Sequence, residues 1–133
     1  MDCLFCKIVV GEVPCHKVYE DENTLAFLDI YPCANGHTVV IPKCHYNDLV
    51  EVGQEELGQL ARGVQNALKR VYSALNVSSA NIGINNGLEA GQAIPHLHWH
   101  IIPRSEKDGG GSMHSIVKKS GIIDVAQTAK LFL

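Results

Sequence analysis

The chain has 133 residues, of which 46% are apolar and 19% charged, and its formal net charge is −3 at pH 7. This length and balance predict one folded domain over residues 1–133 and exclude a disordered chain. The sequence has no run of about 18 to 20 apolar residues to cross a membrane, and no cluster of Lys and Arg to bind nucleic acid. Five cysteines without a secretory signal favour reduced thiols or a metal site over disulfides, which predicts a cytoplasmic protein.

Short periodic segments separated by turn residues predict the elements in chain order. The segment DCLFCKIVVGEV is typical of a short helix that ends near Gly11. HKVYED and NTLAFLDI predict two strands joined by a turn at residues 21–23. A connection that contains Pro, Asn and Gly then leads into a third strand, HTVVIP.

The longest predicted element is an amphipathic helix over residues 54–75. Its apolar residues recur at the three- and four-residue spacing of one helical face: Leu57, Leu60, Ala61, Val64, Leu68, Val71 and Leu75. SANIGIN and HLHWHII follow as two further alternating strands. Because strands outnumber helices and their connections are short, we expect an α+β fold. Its sheet would be mostly antiparallel, with the long helix on one face and a short helix at the N-terminus.

Three histidines alternate with apolar residues in HLHWHII, namely His96, His98 and His100. On an extended strand, residues two apart share a face and lie about 6.5–7 Å apart, so the outer two would be about 13 Å apart. One metal ion therefore cannot bind all three from a straight strand. A neutral imidazole is also a nucleophile that can attack phosphorus, with a neighbouring histidine as hydrogen-bond donor. A polar strand face with solvated histidines is the alternative.

The segment before the triad has features of a phosphate-binding loop. NNGLEAGQA contains Gly87 and Gly91, and glycines allow backbone N–H groups to approach an anion closely. An ordinary turn is the alternative for this segment. Asp29 ends an apolar strand, and a carboxylate can accept hydrogen bonds from both hydroxyls of a ribose. A plain turn residue at a strand end is an equal alternative for Asp29.

Together these segments resemble the histidine triad nucleotide-binding proteins. The family pattern of His, apolar, His, apolar, His, apolar, apolar is present as HLHWHII. CKIVVGEVP, KVYEDENTLAFLDI, NGHTVVIPKCH and NIGINNGLEAGQ are similar to the other family segments, in the same order. The resemblance implies a homodimer, a half-barrel-like antiparallel sheet with helices, and hydrolysis or transfer at the α-phosphate of a purine nucleotide.

The small phosphoramidase-type branch, which acts on compounds such as adenosine 5'-monophosphoramidate, is the branch that the chain resembles most. A dinucleoside polyphosphate hydrolase is an alternative within the enzyme class. A nucleotide-binding regulatory or scaffold protein with little turnover is an alternative from another class. The width of the pocket and the rate of turnover would separate them.

The resemblance also implies roles for individual residues. His98 would be the nucleophile that forms a covalent nucleotidyl-histidine, and His100 would contact the phosphate and assist the leaving group. Asp29 would bind the ribose hydroxyls. An apolar wall for the base would be formed by Leu4, Phe5, Ile8, Phe27, Leu28 and Ile30. Without the resemblance, such an apolar set is more often part of a core.

The resemblance places four more residues at the phosphate and leaving-group side: Asn85, Gly91, Gln92 and Ala93. Ala93 departs from the family pattern, since many members carry a hydroxyl residue there that steers the departing amine. His37, in NGHTVV, matches a position that lines the family's site. A structural histidine at the start of a strand is an equal alternative for His37.

Cys3 and Cys6 form a Cys-x-x-Cys pair. Two thiolates at this spacing can bind zinc, and a tetrahedral site needs two further ligands. Two free buried cysteines are the alternative. In family members that have this pair, its partners are the histidine after IPK and the first histidine of the triad, which here are His45 and His96. The resemblance therefore implies a structural zinc ion, no cofactor for the chemistry, and a triad that keeps only His98 and His100 for catalysis.

Overall fold

Five strands form one open antiparallel sheet in the computed structural model, which describes residues 2–118 and 121–133. In space the strands follow the order β1-β2-β3-β5-β4. In chain order they are β1 (Lys17–Glu20), β2 (Thr24–Leu28), β3 (Thr38–Pro42), β4 (Ala80–Gly83) and β5 (Trp99–Pro103). The helices are α1 (Leu4–Val9), α2 (Gln54–Leu75) and α3 (Val125–Ala129). This arrangement confirms the predicted α+β class, its antiparallel sheet and its long helix.

Helix α2 covers one face of the sheet because its apolar positions form a single stripe. Gly63 lies on this stripe, where an added Cβ atom would come within 2.4 Å of the Thr24 side chain, so the close contact between helix and sheet requires glycine. The buried residues of the stripe are Leu60, Val64, Ala67 and Val71. The first three of them pack against four buried residues from the sheet side: Ala26, Val40, Leu97 and Ile101. The observed bounds of α2 agree with the predicted ones.

Helix α1 packs against the opposite face of the sheet and carries the cysteine pair. Cys3 caps this helix, since its Sγ accepts a hydrogen bond from the Cys6 N–H at 3.4 Å. Phe5 is buried, and its ring lies edge-to-face against the Phe27 ring with 5.5 Å between centroids. A second core cluster forms around this contact, with Leu25, Val39 and Ile41. The N-terminal helix therefore has a fixed position on the sheet.

The alternation of the triad segment has the predicted effect on its faces. His100 lies opposite Val39 of β3, and Val39 belongs to the cluster beneath α1. Leu97 and Ile101, which alternate with the histidines, are fully buried beneath α2 instead. The imidazoles and the apolar side chains thus point to opposite sides, as a strand period requires.

Strand β5 is shorter than the sequence predicts, because it begins only at Trp99. His96 and His98 lie in the segment immediately before it. A turn around Pro95, in which the His96 N–H donates to the Ile94 carbonyl at 2.8 Å, bends the chain there. The spacing of a straight strand therefore does not apply to His96.

The C-terminal segment follows β5. Its described residues, 104–118 and 121–133, contain α3 and two single 3-10 turns, Met113–Ser115 and Lys130–Phe132. The sequence patterns predict no element here, because these segments are too short to display a period. Apolar side chains are exposed along it: Ile116, Val117, Ile122, Ile123, Val125, Leu131, Phe132 and Leu133. Across the described residues, every helix is too short or too polar to span a membrane.

Candidate active site and metal site

His98 is held in one tautomer by the backbone. Its Nδ1 lies 2.7 Å from the carbonyl oxygen of His96. A carbonyl only accepts hydrogen bonds, so Nδ1 carries the proton and Nε2 keeps its lone pair. The side chain is buried, and the edge of the Phe5 ring packs against it with 5.1 Å between centroids. This hydrogen bond therefore orients the imidazole of His98 and, in its neutral form, leaves the lone pair on Nε2.

His100 belongs to a second chain of hydrogen bonds that passes through His37. The backbone N–H of Cys33 donates to His37 Nδ1 at 3.2 Å, so the ring proton of neutral His37 is on Nε2. His37 Nε2 lies 2.9 Å from His100 Nδ1 and donates to it. The proton of His100 is consequently on Nε2. The ring centroids of His98 and His100 are 5.0 Å apart. His98 thus offers a lone pair on Nε2, and its neighbour His100 offers an N–H.

Burial keeps His37 and His100 neutral. It lowers the pKa of His100 to about 4, and the charges of His98 and His37 act in the same direction. Burial also lowers the pKa of His37, while the Asp29 carboxylate acts in the opposite direction. At pH 7 both rings are uncharged, which is the state that the hydrogen-bond pattern requires.

Asp29 lies beside these histidines, at the end of β2. Its Oδ2 is 3.6 Å from His37 Nε2, and its backbone N–H donates to the His37 carbonyl at 2.9 Å. Its Oδ1 accepts the Tyr31 N–H at 2.8 Å. An ionised carboxylate has about four acceptor positions, so Asp29 retains capacity for hydroxyl groups of a ligand.

The apolar residues predicted to wall a base divide into two groups. Phe5 and Phe27 are buried, and Ile8 is half-buried against the same cluster. The other three are exposed, with fractional exposures of 42% for Leu4, 38% for Leu28 and 73% for Ile30. Leu28 and Ile30 flank Asp29 in the chain, and exposed apolar side chains are suited to contact a flat aromatic ligand.

The glycine loop, residues 85–93, precedes the triad and closes on itself. Gly87 and Gly91 have φ angles of +95° and +93°, which favour glycine. The N–H groups of Ala90 and Gln92 donate to the Gly87 carbonyl, and that of Gly91 donates to the Leu88 carbonyl. These three amides are thus bonded within the loop, and the predicted nest of free amides is not formed by them.

Gln92 braces this loop rather than projecting freely from it. Its Oε1 accepts the Gly87 N–H at 2.8 Å, and its Nε2 donates to the carbonyls of Asn47 and Ile94 at 2.6 and 3.1 Å. Asn85, at the start of the loop, lines a pocket of about 310 Å³ together with His37 and His100. Ala93 is exposed on a different part of the surface, in a pocket with Asn47 and Gln92.

A group of potential metal ligands, the metal cluster, is formed by Cys3, Cys6, His45 and His96, whose ligand atoms all lie within 4.8 Å of one another. His96 Nδ1 is 3.4 Å from Cys3 Sγ and 3.6 Å from Cys6 Sγ, and His45 Nδ1 is 3.3 Å from Cys6 Sγ. Zn–S and Zn–N bonds of about 2.3 and 2.0–2.1 Å at tetrahedral angles give a sulfur–nitrogen separation of about 3.6 Å. Two thiols and two imidazoles at these distances fit zinc in both chemistry and size.

Two residues of the metal cluster's surroundings were not predicted from the sequence. Asn47 Oδ1 lies 3.0 Å from His45 Nε2. The Glu51 carboxylate accepts hydrogen bonds from the backbone N–H and from the side-chain NH₂ of Asn47. Neither residue belongs to a recognisable motif. A carboxylate and an amide close to a potential metal-ligating histidine are the signal, and it becomes visible in three dimensions.

Comparison with known proteins places this architecture in a family. A HIT domain profile matches residues 10–107. An uncharacterized HIT-like protein of Methanocaldococcus jannaschii is 44% identical over 96% of this chain and 98% of its own length. An adenylylsulfatase of Arabidopsis thaliana is 44% identical over 80% of this chain, which spans only 54% of that protein. An adenosine 5'-monophosphoramidase of Schizosaccharomyces pombe is 41% identical over 83% of this chain and 80% of its own length.

Solved structures agree with these relatives. A HIT family member from Bacillus subtilis superposes with a TM-score of 0.85 at 38% identity, and the match covers 99% of this chain and 95% of that one. A zinc-bound histidine triad family protein from Mycobacterium smegmatis superposes with a TM-score of 0.76 at 41% identity, covering 81% of this chain and 78% of that one. With a matching domain profile, matching relatives and a matching fold, the chain belongs to the HIT, or histidine triad, family.

Proposed function

We propose that this protein is a nucleotide hydrolase that acts at the α-phosphate of adenosine 5'-monophosphate derivatives, with His98 as its nucleophile. The observation that carries the proposal is the hydrogen bond from His98 Nδ1 to the His96 carbonyl at 2.7 Å. Because this bond keeps the proton on Nδ1, the lone pair of Nε2 is available for attack without a separate general base.

The reaction would proceed in two steps through a covalent intermediate. In the first, Nε2 of His98 forms a bond to the α-phosphorus while the bond from phosphorus to the leaving group breaks. The leaving group takes the electron pair of that bond and a proton from solvent. In the second, water attacks the same phosphorus, its proton returns to solvent, and AMP and free His98 are released.

His100 would stabilise the charge that develops on the phosphoryl group. Its Nδ1 accepts a hydrogen bond from His37 Nε2–H, so its own Nε2–H is a neutral donor. A preorganised donor in a site of low dielectric is effective because it needs no reorientation during the reaction. The lowered pKa of His100, which burial brings to about 4, keeps this donor uncharged.

The remaining residues would bind the nucleotide. Asp29 would accept the ribose hydroxyls, and the exposed apolar side chains of Leu4, Leu28 and Ile30 would contact the base. Asn85 would contact the phosphate from the pocket that it shares with His37 and His100. Gly91, Gln92 and Ala93 would act through the shape of the glycine loop, since the Gln92 side chain is engaged in bracing it.

Two relatives support a leaving group attached directly to the α-phosphate. The Schizosaccharomyces pombe protein is an adenosine 5'-monophosphoramidase, and the Arabidopsis thaliana protein is an adenylylsulfatase. Both names describe an AMP group joined to a small leaving group. For this chain we propose the phosphoramidate first, because that relative is covered over 80% of its length.

We also propose a structural zinc ion at the metal cluster. The donor set provides four protein ligands, which leave no coordination position for substrate or water, so the ion would stabilise the fold rather than react. It would join α1 to the segment before the triad, since Cys3 and His96 are 93 positions apart in sequence.

A homodimer is the third part of the proposal. The support is the apolar C-terminal segment, in which Ile122 is 99% exposed, Leu131 82% and Phe132 84%. Contiguous apolar side chains with this exposure are typical of a surface that a second copy covers.

The test of the activity is release of AMP from adenosine 5'-monophosphoramidate by the purified protein. Adenosine 5'-phosphosulfate and a diadenosine polyphosphate would be assayed in parallel under the same conditions. A larger kcat/KM for the phosphoramidate supports the proposal, and a larger value for the diadenosine compound would favour the dinucleotide hydrolase instead. Tight AMP binding without turnover of any of the three would contradict an enzyme and favour a nucleotide-binding protein.

A further inference from the structure

We propose that Asn47 is a positioning residue that selects the metal-binding nitrogen of His45 and links the metal cluster to the glycine loop. The effect on metal binding rests on the proposed zinc site, whereas the choice of the His45 nitrogen rests on side-chain geometry alone. Asn47 is exposed, yet its backbone N–H, its backbone carbonyl, its side-chain NH₂ and its side-chain carbonyl each have a partner.

Glu51 determines which way the Asn47 amide points. Its two carboxylate oxygens lie 2.8 Å from the Asn47 backbone nitrogen and 3.2 Å from Asn47 Nδ2. An ionised carboxylate only accepts hydrogen bonds, so the NH₂ end of the amide must face Glu51. The Oδ1 end then faces the other way, towards His45.

The oriented amide in turn selects the tautomer of His45. Asn47 Oδ1 lies 3.0 Å from His45 Nε2 and can only accept, so Nε2 carries the ring proton. His45 Nδ1 therefore holds the lone pair, and this nitrogen is the one that lies 3.3 Å from Cys6 Sγ. His96 is oriented in the same way, because its Nε2 lies 2.9 Å from the Pro42 carbonyl. Both histidines thus present Nδ1 to the metal cluster.

The same asparagine is tied to the glycine loop through its backbone. Its carbonyl accepts Gln92 Nε2 at 2.6 Å, and Gln92 Oε1 accepts the Gly87 N–H at 2.8 Å. A second hydrogen bond to the loop is donated by the Leu49 N–H to Asn86 Oδ1 at 2.8 Å. An unbroken path of hydrogen bonds therefore leads from His45 to the loop that precedes the triad.

A metal ion that immobilises His45 would reduce the motion of every group along this path. Hydrogen-bond partners of a metal-ligating histidine fix its tautomer and ring direction, and their loss costs about 10–100-fold in metal affinity. Because linkage is reciprocal, whatever orders the glycine loop would also favour metal binding. Asn47 would therefore affect both the cluster and the loop without touching either the metal or the substrate.

The first experiment reads the tautomer of His45 by ¹⁵N NMR in metal-free protein, together with zinc affinity by chelator competition. In wild type we expect the Nε2–H tautomer. In Asn47→Ala we expect a mixture of tautomers and zinc binding about 10–100-fold weaker. Asn66→Ala is the matched control, since Asn66 also donates through its amide, to the Tyr19 hydroxyl, but lies outside the path.

A double variant tests whether the effects of Asn47→Ala come from the lost hydrogen bonds or from a general loss of structure. Asn47→Asp with Glu51→Gln exchanges the amide and the carboxylate. A carboxylate oxygen at position 47 then accepts from His45, and the amide at position 51 donates to the other carboxylate oxygen at position 47. We expect the Nε2–H tautomer and most of the zinc affinity to return. An unchanged His45 tautomer in Asn47→Ala would overturn the inference, whereas a wild type that binds no zinc would contradict the proposed metal site instead.

The second experiment follows hydrogen exchange of Leu49 and of residues 86–92 with and without zinc. Zinc should slow exchange of the Gly87 and Leu49 amides several-fold in wild type. Gln92→Glu keeps the acceptor for Gly87 but loses the donor to the Asn47 carbonyl, so it should abolish the effect at Gly87 while zinc still binds. An equal slowing in wild type and Gln92→Glu, or none in zinc-bound wild type, would contradict the link to the loop.

Discussion

The Nδ1 of His98 lies 2.7 Å from the backbone carbonyl oxygen of His96, two residues earlier in the chain. The first histidine of the triad belongs to the metal cluster through its side chain, and it orients the second through its backbone. The bend at Pro95 makes this possible, since it removes His96 from the regular strand. A residue in the metal cluster thereby determines which nitrogen of His98 is free.

His98→Ala should abolish turnover and preserve nucleotide binding. We expect kcat to fall about 10⁴-fold or more, because the covalent route loses its attacking atom. The Kd for AMP should change by less than about tenfold, since Asp29 and the apolar wall remain. Nucleotidylated protein should be trapped in wild type and not in the variant. The exposed His16 provides the control, because His16→Ala should keep wild-type kcat; substantial turnover by His98→Ala would exclude this nucleophile.

His37→Ala should impair catalysis through His100. The variant lacks the His37 Nε2–H that donates to His100 Nδ1 at 2.9 Å. His100 can then adopt either neutral tautomer. We expect kcat to fall about 10–100-fold, a part of what a positioned acid–base group contributes. The ¹⁵N NMR signals of His100 should change from one tautomer to a mixture. Wild-type kcat combined with an altered tautomer would show that the orientation of His100 does not limit the reaction.

Cys3→Ser with Cys6→Ser should remove zinc and lower the melting temperature. The four proposed ligands connect α1 with residues 45 and 96, so a bound ion would stabilise the native state only. We expect a decrease in Tm of more than about 5 °C. Cys33→Ser with Cys44→Ser is the matched control, because both thiols are exposed and lie outside the cluster. Equal zinc content in the two double variants would contradict the site.

Stability should decrease in acid, and His100 should account for part of the loss. Burial lowers its folded-state pKa from 6.5 to about 4, so the unfolded chain takes up this proton first as pH falls. The contribution is complete above pH 6.5 and is lost between pH 6.5 and about 4. Denaturant unfolding at several pH values should therefore give a steeper decline for wild type than for His100→Asn. Parallel curves would show that His100 titrates alike in both states.

Self-association should depend on the C-terminal segment. Light scattering should give twice the chain mass for the full protein. Leu131→Glu with Phe132→Glu should shift the equilibrium towards monomer, because charged groups replace side chains that are 82% and 84% exposed in one copy. Val10→Glu, at the end of α1 and 69% exposed, is a control that places a new charge outside this segment. A monomeric wild type would exclude the homodimer.

Several expectations stay predictions. The HIT domain profile matches residues 10–107, and one domain over residues 1–133 stays a prediction. So do the cytoplasmic setting, which the cysteine usage favours, and the absence of a nucleic-acid partner, which the charge balance favours. The roles of the site residues depend on the mutants described above.

The sequence by itself determined the features that depend on local periodicity. The three- and four-residue spacing of the apolar positions determined α2 with its observed bounds, and Leu60, Val64 and Val71 on its buried face. The spacing did not identify the buried Gly63 and Ala67, and the predicted Ala61 is exposed. The alternation in HLHWHII determined that Leu97 and Ile101 are buried beneath α2 while His100 faces the other way. Such patterns are reliable because backbone geometry within one segment sets the direction of each side chain.

Only the tertiary structure decided which groups become partners. Asn47 and Glu51 are close to His45 in sequence, but no residue pattern indicates that they orient it. The Gln92 amide reaches the Asn47 carbonyl from 45 positions away. The tautomer of His100 likewise depends on His37, which is 63 positions away. Hydrogen bonds between distant segments arise from how the elements pack, and packing is a property of the whole chain rather than of a local period.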